Sequence, residues 1–168
     1  MSSKLQKTTY VRNFIFGVED SLVSTVGLVS GVAAAGVDRA TIFVIGVILI
    51  FVEALSMGVG SVLTETSIEE FVLHKSNGAR LPRVGGLIMF ISYFLAGFVP
   101  LSPYLFFSVE RAFPAAICAS LAALFILGYM SARKFGANAR KSSLRMLILG
   151  GLAIFAGTAI GFLLKRFT

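Results

Sequence analysis

Residues 14–36 read Phe14-Ile15-Phe16-Gly17-Val18-Glu19-Asp20-Ser21-Leu22-Val23-Ser24-Thr25-Val26-Gly27-Leu28-Val29-Ser30-Gly31-Val32-Ala33-Ala34-Ala35-Gly36. A run of this length crosses a hydrocarbon core of about 30 Å as an α-helix, yet it carries two acids, Glu19 and Asp20. Four more runs share its apolar character: 40–62, 84–107, 112–132 and 146–164. The five hold 110 of the 168 residues but three of the 23 charged groups, Glu19, Asp20 and Glu53. The other 20 charges crowd into the remaining 58 residues. Hydrophobic residues make up 57% of the chain and charged ones 14%, with a mean hydropathy of +0.90. A soluble domain carries about 25% charged residues. This distribution excludes a soluble core, a disordered tail and a secreted disulfide domain. It predicts an all-α polytopic membrane protein, a single transmembrane domain over 1–168 with five transmembrane helices. The runs are too long and too continuously apolar for barrel strands, and they show no period-2 alternation.

The connections set orientation. Lys4, Lys7 and Arg12 precede the first run; Lys75, Arg80 and Arg83 lie between the second and third; Arg133, Lys134, Arg140, Lys141 and Arg145 lie between the fourth and fifth. These eleven share one side, against Arg39, Arg111, Lys165 and Arg166 on the other. The positive-inside rule then places the N-terminus in the cytoplasm and the C-terminus opposite. The same rule accounts for the net charge of +7, so a nucleic-acid partner is not expected. Lys4, Lys7, Arg12 and Ala33-Ala34-Ala35 imitate a cleaved signal peptide, but Glu19 and Asp20 break the segment that should be uniformly apolar. Cys118 is the single cysteine, so no intrachain disulfide forms, and it reads as an apolar packing residue. Pro100 and Pro103 are expected to kink or end the third helix. In the cytoplasmic connection 63–83, the first half should prolong the second helix until Asn77-Gly78 breaks it.

An acid near the bilayer centre costs about 2.5–3.5 kcal/mol on insertion scales and is a functional candidate for that reason. The link Gly36-Val37-Asp38-Arg39 makes the first two helices an antiparallel hairpin, which brings Asp20, Met57 and Glu53 to similar depths. Two carboxylates and a thioether at one level suit a divalent transition metal, with oxygen favouring Mn²⁺ or Fe²⁺ and sulfur disfavouring Mg²⁺ or Ca²⁺. Structural alternatives stand beside this: Asp20 as a backbone cap, Glu53 as a protonated acid bonding another helix, Met57 as packing, Glu19 snorkelling to water. Asp20, Ser24, Gly27, Gly31 and Ala34 share one face of the first helix. That small, partly acidic face, Ser24, Gly27 and Gly31 above all, suggests close packing against a second copy in a two-fold homodimer. Gly46, Glu53, Met57 and Gly60 on the second helix, and Ala153, Gly157 and Gly161 on the last, are similar stripes. Glu65 with Glu69, and Glu70 with His74, stand one helical turn apart and form two candidate pairs for metal capture at the cytoplasmic mouth. The alternative is a solvated amphipathic extension.

Two segments resemble the vacuolar iron transporter family. Arg12 to Val32 is similar to its first helix, and Glu53-Ala54-Leu55-Ser56-Met57-Gly58-Val59-Gly60 to its Ser-Met signature in the second. The resemblance implies a homodimer moving Fe²⁺, and often Mn²⁺, out of the cytoplasm in exchange for protons, along a path between subunits. It implies that Asp20 and Met57 stand at pathway positions, with Glu53 a nearby acid. Three departures accompany it. Ser21 replaces a glycine, Ser61 stands where many members have glutamate, and the acidic metal-binding insert between the second and third helices is missing. The last feature is similar to the shorter, nodulin-like branch.

The expectation is therefore a metal–proton antiporter with no resident cofactor, its cargo Fe²⁺ or Mn²⁺ and its partners protons, the lipid bilayer and a second copy. It would sit in the inner membrane of a prokaryote or a vacuolar-type membrane of a eukaryote. The rivals are a proton-coupled organic-cation exporter and a non-transporting assembly protein. An enzyme is not expected: the chain has one histidine, no His-Glu-x-x-His and no phosphate-binding loop.

Overall fold

In lipid an apolar segment must satisfy its backbone internally, and for runs of this length the helix is the solution. The computed structural model describes residues 3–73 and 80–166 and shows six helices, with no strand among the described residues. They are α1 (Ser3–Ala34), α2 (Arg39–Leu73), α3 (Arg80–Leu101), the single turn α4 (Pro103–Phe106), α5 (Val109–Phe135) and α6 (Ala139–Leu164). All but α4 are long and apolar enough to cross a membrane. At 1.5 Å per residue the 35 residues of α2 reach about 50 Å, well beyond the hydrocarbon core.

The prolines act as expected: Pro100 sits in the last turn of α3, and Pro103 opens α4, so the run 84–107 is a helix and a separate turn. The helices also begin or end outside the apolar runs. α1 starts at Ser3 rather than near 14, α5 spans 109–135 and α6 starts at Ala139. Charged residues such as Lys and Arg are good helix formers, so hydropathy does not register where a helix leaves the apolar layer. α2 does run on past 62, to Leu73; Asn77-Gly78 lies outside the described residues.

Two tight links carry left-handed glycines. Gly36 (φ 88°) ends α1, after which Asp38 caps α2; Gly136 (φ 69°) ends α5, and Asn138 accepts a hydrogen bond from the Lys141 N–H at 3.2 Å to start α6. A residue with a Cβ is strained at such φ values, which is why glycine stands there.

Side-chain contacts fix the directions. Gly17 meets Met89, and Ser21 meets Tyr93, so α1 and α3 run parallel. Gly27 meets Ala153 and Gly31 meets Gly157, so α6 is parallel to α1 as well. Arg12 meets Glu65 where Asn13 meets Ser61, and Ile50 meets Gly97 where Gly58 meets Gly86, so α2 is antiparallel to both α1 and α3. Of the eleven basic residues counted above, the ten within the described residues thus belong to helix ends and links at one end of the bundle, here named the basic end; Lys75 lies outside the described residues. α1 is the central helix, packed most extensively on α3 and α6, whereas α2 leans on α3 and touches α1 less. One core cluster joins Val29, Ile42, Ile50, Leu101 and Tyr104; another joins Leu22, Ala96, Leu124 and Met146. Much of the apolar surface faces outward, Phe155 and Phe106 among it, as expected for helices bathed in lipid rather than water. Cys118 is on that outward surface of α5 and not in the core.

Candidate functional site at the seam of α1 and α2

The rotation of α2 is set by small residues. Ala54 is fully buried, and Gly58 lies so close to α3 that a Cβ there would stand 3.0 Å from Phe90 Cβ and 3.2 Å from the Gly86 carbonyl oxygen. With Ala54 and Gly58 locked on α3, Glu53 and Met57 sit about 100° round the helix, half-buried. The Asn13–Ser61 contact fixes the register with α1: continued antiparallel, it brings Gly17 level with Met57, and Asp20 level with the Glu53-Ala54 pair. Asp20 is close enough to Glu53 to feel its charge. Met57 lies one turn, about 5 Å, nearer the basic end. The three residues chosen from the sequence are therefore neighbours across one seam. Because α1 begins earlier than its apolar run, Asp20 stands midway along the helix.

Glu19 and Asp20 divide between two neighbours. The cationic charge that bears on Glu19 comes from Arg145 on α6, while the charge that bears on Asp20 comes from Glu53 on α2. Adjacent residues on a helix diverge by 100°, which is the reason for the division. Glu19 thus has a counter-charge of its own at the basic end of α6.

The seam is hollow on both sides of the acids. Towards the basic end a cavity of about 680 Å³ is lined by Arg12, Asn13, Met57, Ser61, Thr64 and Glu65. Away from it a groove of about 690 Å³ begins at Asp20 and Ser24 and continues between Gly27 and Gly31 of α1, Leu49 of α2 and Gly157 of α6. Met57 belongs to one hollow and Asp20 to the other, one helical turn apart.

Ser24, Gly27 and Gly31, read from the sequence as a face for a second copy, meet the chain's own helices. The Ser24 hydroxyl lies 2.6 Å from the Tyr93 hydroxyl of α3. A Cβ on Gly31 would stand 2.6 Å from the Gly157 carbonyl oxygen, and one on Gly157 or Gly161 would overlap the carbonyls of Gly27 or Gly31. The small stripes of α1 and α6 thus interlock within one chain, while the open edge of the α1 stripe still lines the groove. Gly46 packs against Leu101, and a Cβ on Gly60 would meet nothing within 4 Å.

Of the two acid pairs that helical spacing suggested, only Glu65 with Glu69 lies wholly within the described residues. Glu65 is buried and ion-paired with Arg12 of α1, Glu69 is half-buried and Glu70 is exposed. The reason is the early start of α1, whose added turns run beside the extension of α2 and supply a cation. His74 lies outside the described residues. Among the described residues, no three His, Cys, Asp or Glu side chains cluster as a metal site. Any metal held in the seam of one chain would rest on Asp20 and Glu53, with Met57 sulfur and hydroxyl oxygens completing its shell.

Two participants escaped the sequence reading. Tyr93 is fully buried, bonds Ser24 through its hydroxyl, and accepts the Ser21 hydroxyl at its carbonyl oxygen at 2.6 Å. Ser92-Tyr93, two polar residues inside an apolar run, was the available signal. Arg12 was counted only for its charge. The departures from the family pattern also have partners: Ser21 bonds α3, and Ser61 accepts from Asn13 Nδ2 at 2.9 Å.

Known proteins are similar to this chain over most of its length. The family model described as the VIT family matches residues 11–80 and 62–162, so Asp20, Glu53 and Met57 all fall inside it. Vacuolar iron transporter 1 of Tulipa gesneriana is 24% identical across 91% of this chain and 86% of its own length. Vacuolar iron transporter homolog 1 of Arabidopsis thaliana is 29% identical across 89% of this chain and 80% of its own. The protein of the same name from Oryza sativa subsp. japonica is 28% identical across 88% and 71%. The tulip alignment spans 213 positions against a chain of 168 residues, so the tulip protein carries at least 45 residues within it that this chain lacks. The Arabidopsis alignment, at 160 positions, needs no such gap. The chain belongs to the VIT family, as a short form.

Proposed function

We propose that this chain is a multi-pass membrane transporter that moves divalent transition-metal ions, Fe²⁺ or Mn²⁺ or both, out of the cytoplasm in exchange for protons. The observation that carries the reading is the register of two membrane-crossing helices that brings Asp20 level with Glu53 and within reach of its charge, one turn from Met57. Two carboxylates that face each other in a poorly hydrated seam repel, and a divalent cation or a shared proton relieves that repulsion. A metal ion needs its ligands deprotonated, so binding releases whatever proton the acids hold. Alternate occupancy of one pair of acids by metal and by proton is the chemistry of antiport. Asp20 is the exchanging group, Glu53 the second acid and Met57 the ligand that favours transition metals over Mg²⁺ or Ca²⁺.

One chain supplies few ligands, and both hollows open along its side. A second copy placed across the seam by a two-fold axis doubles the acids and thioethers and closes the groove. The relatives named as vacuolar iron transporters support iron as a cargo. The excess of basic residues at one end supports a cytoplasmic N-terminus.

The test is uptake of Fe²⁺ and Mn²⁺ into proteoliposomes with an imposed pH gradient. Wild-type protein accumulates metal only with the gradient, and Asp20→Asn does not. Transport by Asp20→Asn at the wild-type rate refutes the assignment. One observation favours a second reading, export of organic cations: the groove that starts at Asp20 is walled by apolar and small residues. Competition between lipophilic amines and Mn²⁺ for uptake separates the two.

A further inference from the structure

Arg12 and Glu65 stand at the rim of the cavity whose inner wall carries Met57. Glu65 is 6% exposed and has the Arg12 guanidinium as its ion-pair partner, whereas the Arg12 side chain is 59% exposed. Beside them, the Asn13 amide donates to Ser61, a second rung between α1 and α2. The pair is asymmetric. Arginine released from it swings into water at no great cost, because its long stem keeps the charge solvated. Glu65, buried, needs a cation in its place. A divalent ion carries twice the charge of the guanidinium and attracts the carboxylate more strongly at the same distance; a monovalent ion has no such advantage. A cation approaching Met57 from the basic end passes this carboxylate first.

We propose that Arg12 is a resident counter-cation on Glu65 and that a divalent ion enters the cavity by displacing it. Glu65 is then the first ligand at the mouth, and Arg12 a specificity-determining residue that keeps monovalent cations off it. The proposal rests on the transport reading, adding to the Asp20 level a separate exchange step nearer the basic end.

The experiment is Mn²⁺ uptake against Mn²⁺ concentration by the full chain in proteoliposomes, with and without excess Na⁺. Arg12→Gln lowers the half-saturating Mn²⁺ concentration by about fivefold, the most that a partly exposed ion pair supplies, and Glu65→Gln raises it by a similar factor. Excess Na⁺ inhibits uptake by Arg12→Gln and leaves the wild type unaffected. Lys7→Gln, which removes another cation from the same end, leaves the curve unchanged. A structural strap would behave otherwise: both single variants would shift the curve in the same direction, and the reversed pair Arg12→Glu/Glu65→Arg would restore it. Either result overturns the proposal, as does Lys7→Gln reproducing Arg12→Gln. Wild-type uptake with unchanged half-saturation in Arg12→Gln overturns the exchange step alone. No Mn²⁺ uptake by wild type, with or without a pH gradient, overturns the transport reading and this proposal together.

Discussion

The hydroxyl groups of Ser24 and Tyr93 lie 2.6 Å apart and tie α1 to α3 one helical turn from Asp20. The Ser24 hydroxyl also makes a long hydrogen bond of 3.5 Å to the Ser21 carbonyl oxygen, so Tyr93 is its closer partner. Together with the Ser21 bond to the Tyr93 carbonyl, this clamps the segment of α1 that presents Asp20. Tyr93→Phe keeps the ring and the Ser21 bond to the backbone carbonyl and removes the Ser24 half of the clamp. The expected cost is about 0.5–1.5 kcal/mol, the ordinary net worth of a buried hydrogen bond. It is read as a lower unfolding midpoint in detergent, accompanied by slower metal uptake because Asp20 loses its fixed position.

The interlocked glycines of α1 and α6 predict a sharp contrast between neighbouring positions. Gly31→Ala places a methyl group 2.6 Å from the Gly157 carbonyl oxygen, backbone that has no rotamer to change. Overpacking of this kind costs about 1–3 kcal/mol. Gly151→Ala, on the same α6, meets nothing within 4 Å and is expected to leave stability unchanged or slightly raised. Thermal unfolding of the two variants in one detergent checks the difference. Equal midpoints would mean that α6 is not seated on α1 as the structure has it.

The fold was legible because long apolar runs in lipid have one solution, and the level of Asp20, Glu53 and Met57 was legible because a four-residue link leaves a hairpin little freedom in depth. Which helix covers which face was not. The Gly27-Gly31 stripe signals close approach of some helix, but the same stripe fits α6 or a second copy, and only the assembled bundle chooses. Arg12 and Glu65 are 53 residues apart in sequence, beyond any helical spacing rule, and their meeting depends on how far α1 continues past its apolar run. Tyr93 was missed for a similar reason: its role depends on the parallel register of α1 and α3, which no local pattern encodes.

Asp38 offers a pH-dependent prediction outside the membrane-crossing helices. It caps α2, accepting the Thr41 hydroxyl at 2.6 Å on Oδ2 and the N–H groups of Ala40 and Thr41 at 3.0 and 3.1 Å on Oδ1. The Thr41 hydroxyl, and after it the Thr41 N–H, holds its carboxyl below the usual carboxylate value of 3.8. Folding therefore favours the charged form. The stabilisation is complete above the unfolded value and disappears as pH falls through the lower folded one. Asp38→Ala is expected to lower the unfolding midpoint at neutral pH, and the gap from wild type should begin to close only below about pH 3.8. A gap that closes at higher pH would contradict the cap.

Met57 carries the last prediction, which concerns selectivity rather than rate. Met57→Leu is close to volume-conserving and keeps the cavity wall apolar, so packing changes little. What it removes is the α2 thioether on the cavity wall, leaving only that of Met89 on α3 among the residues that line it. Fe²⁺ and Zn²⁺ gain more from sulfur than Mn²⁺ does, while carboxylate oxygen serves Mn²⁺ well. Fluxes of the three ions through Met57→Leu should fall for Fe²⁺ and Zn²⁺ by roughly tenfold, the lower end of what disturbing a metal site costs, with Mn²⁺ much less affected. Glu53→Gln should reduce all three alike, because it removes charge and not softness. If Met57→Leu instead scales every flux by one factor, the side chain shapes the cavity without touching the ion. Discrimination among metals then rests with the carboxylates, and Met57 joins Ala54 and Gly58 as a packing residue of α2.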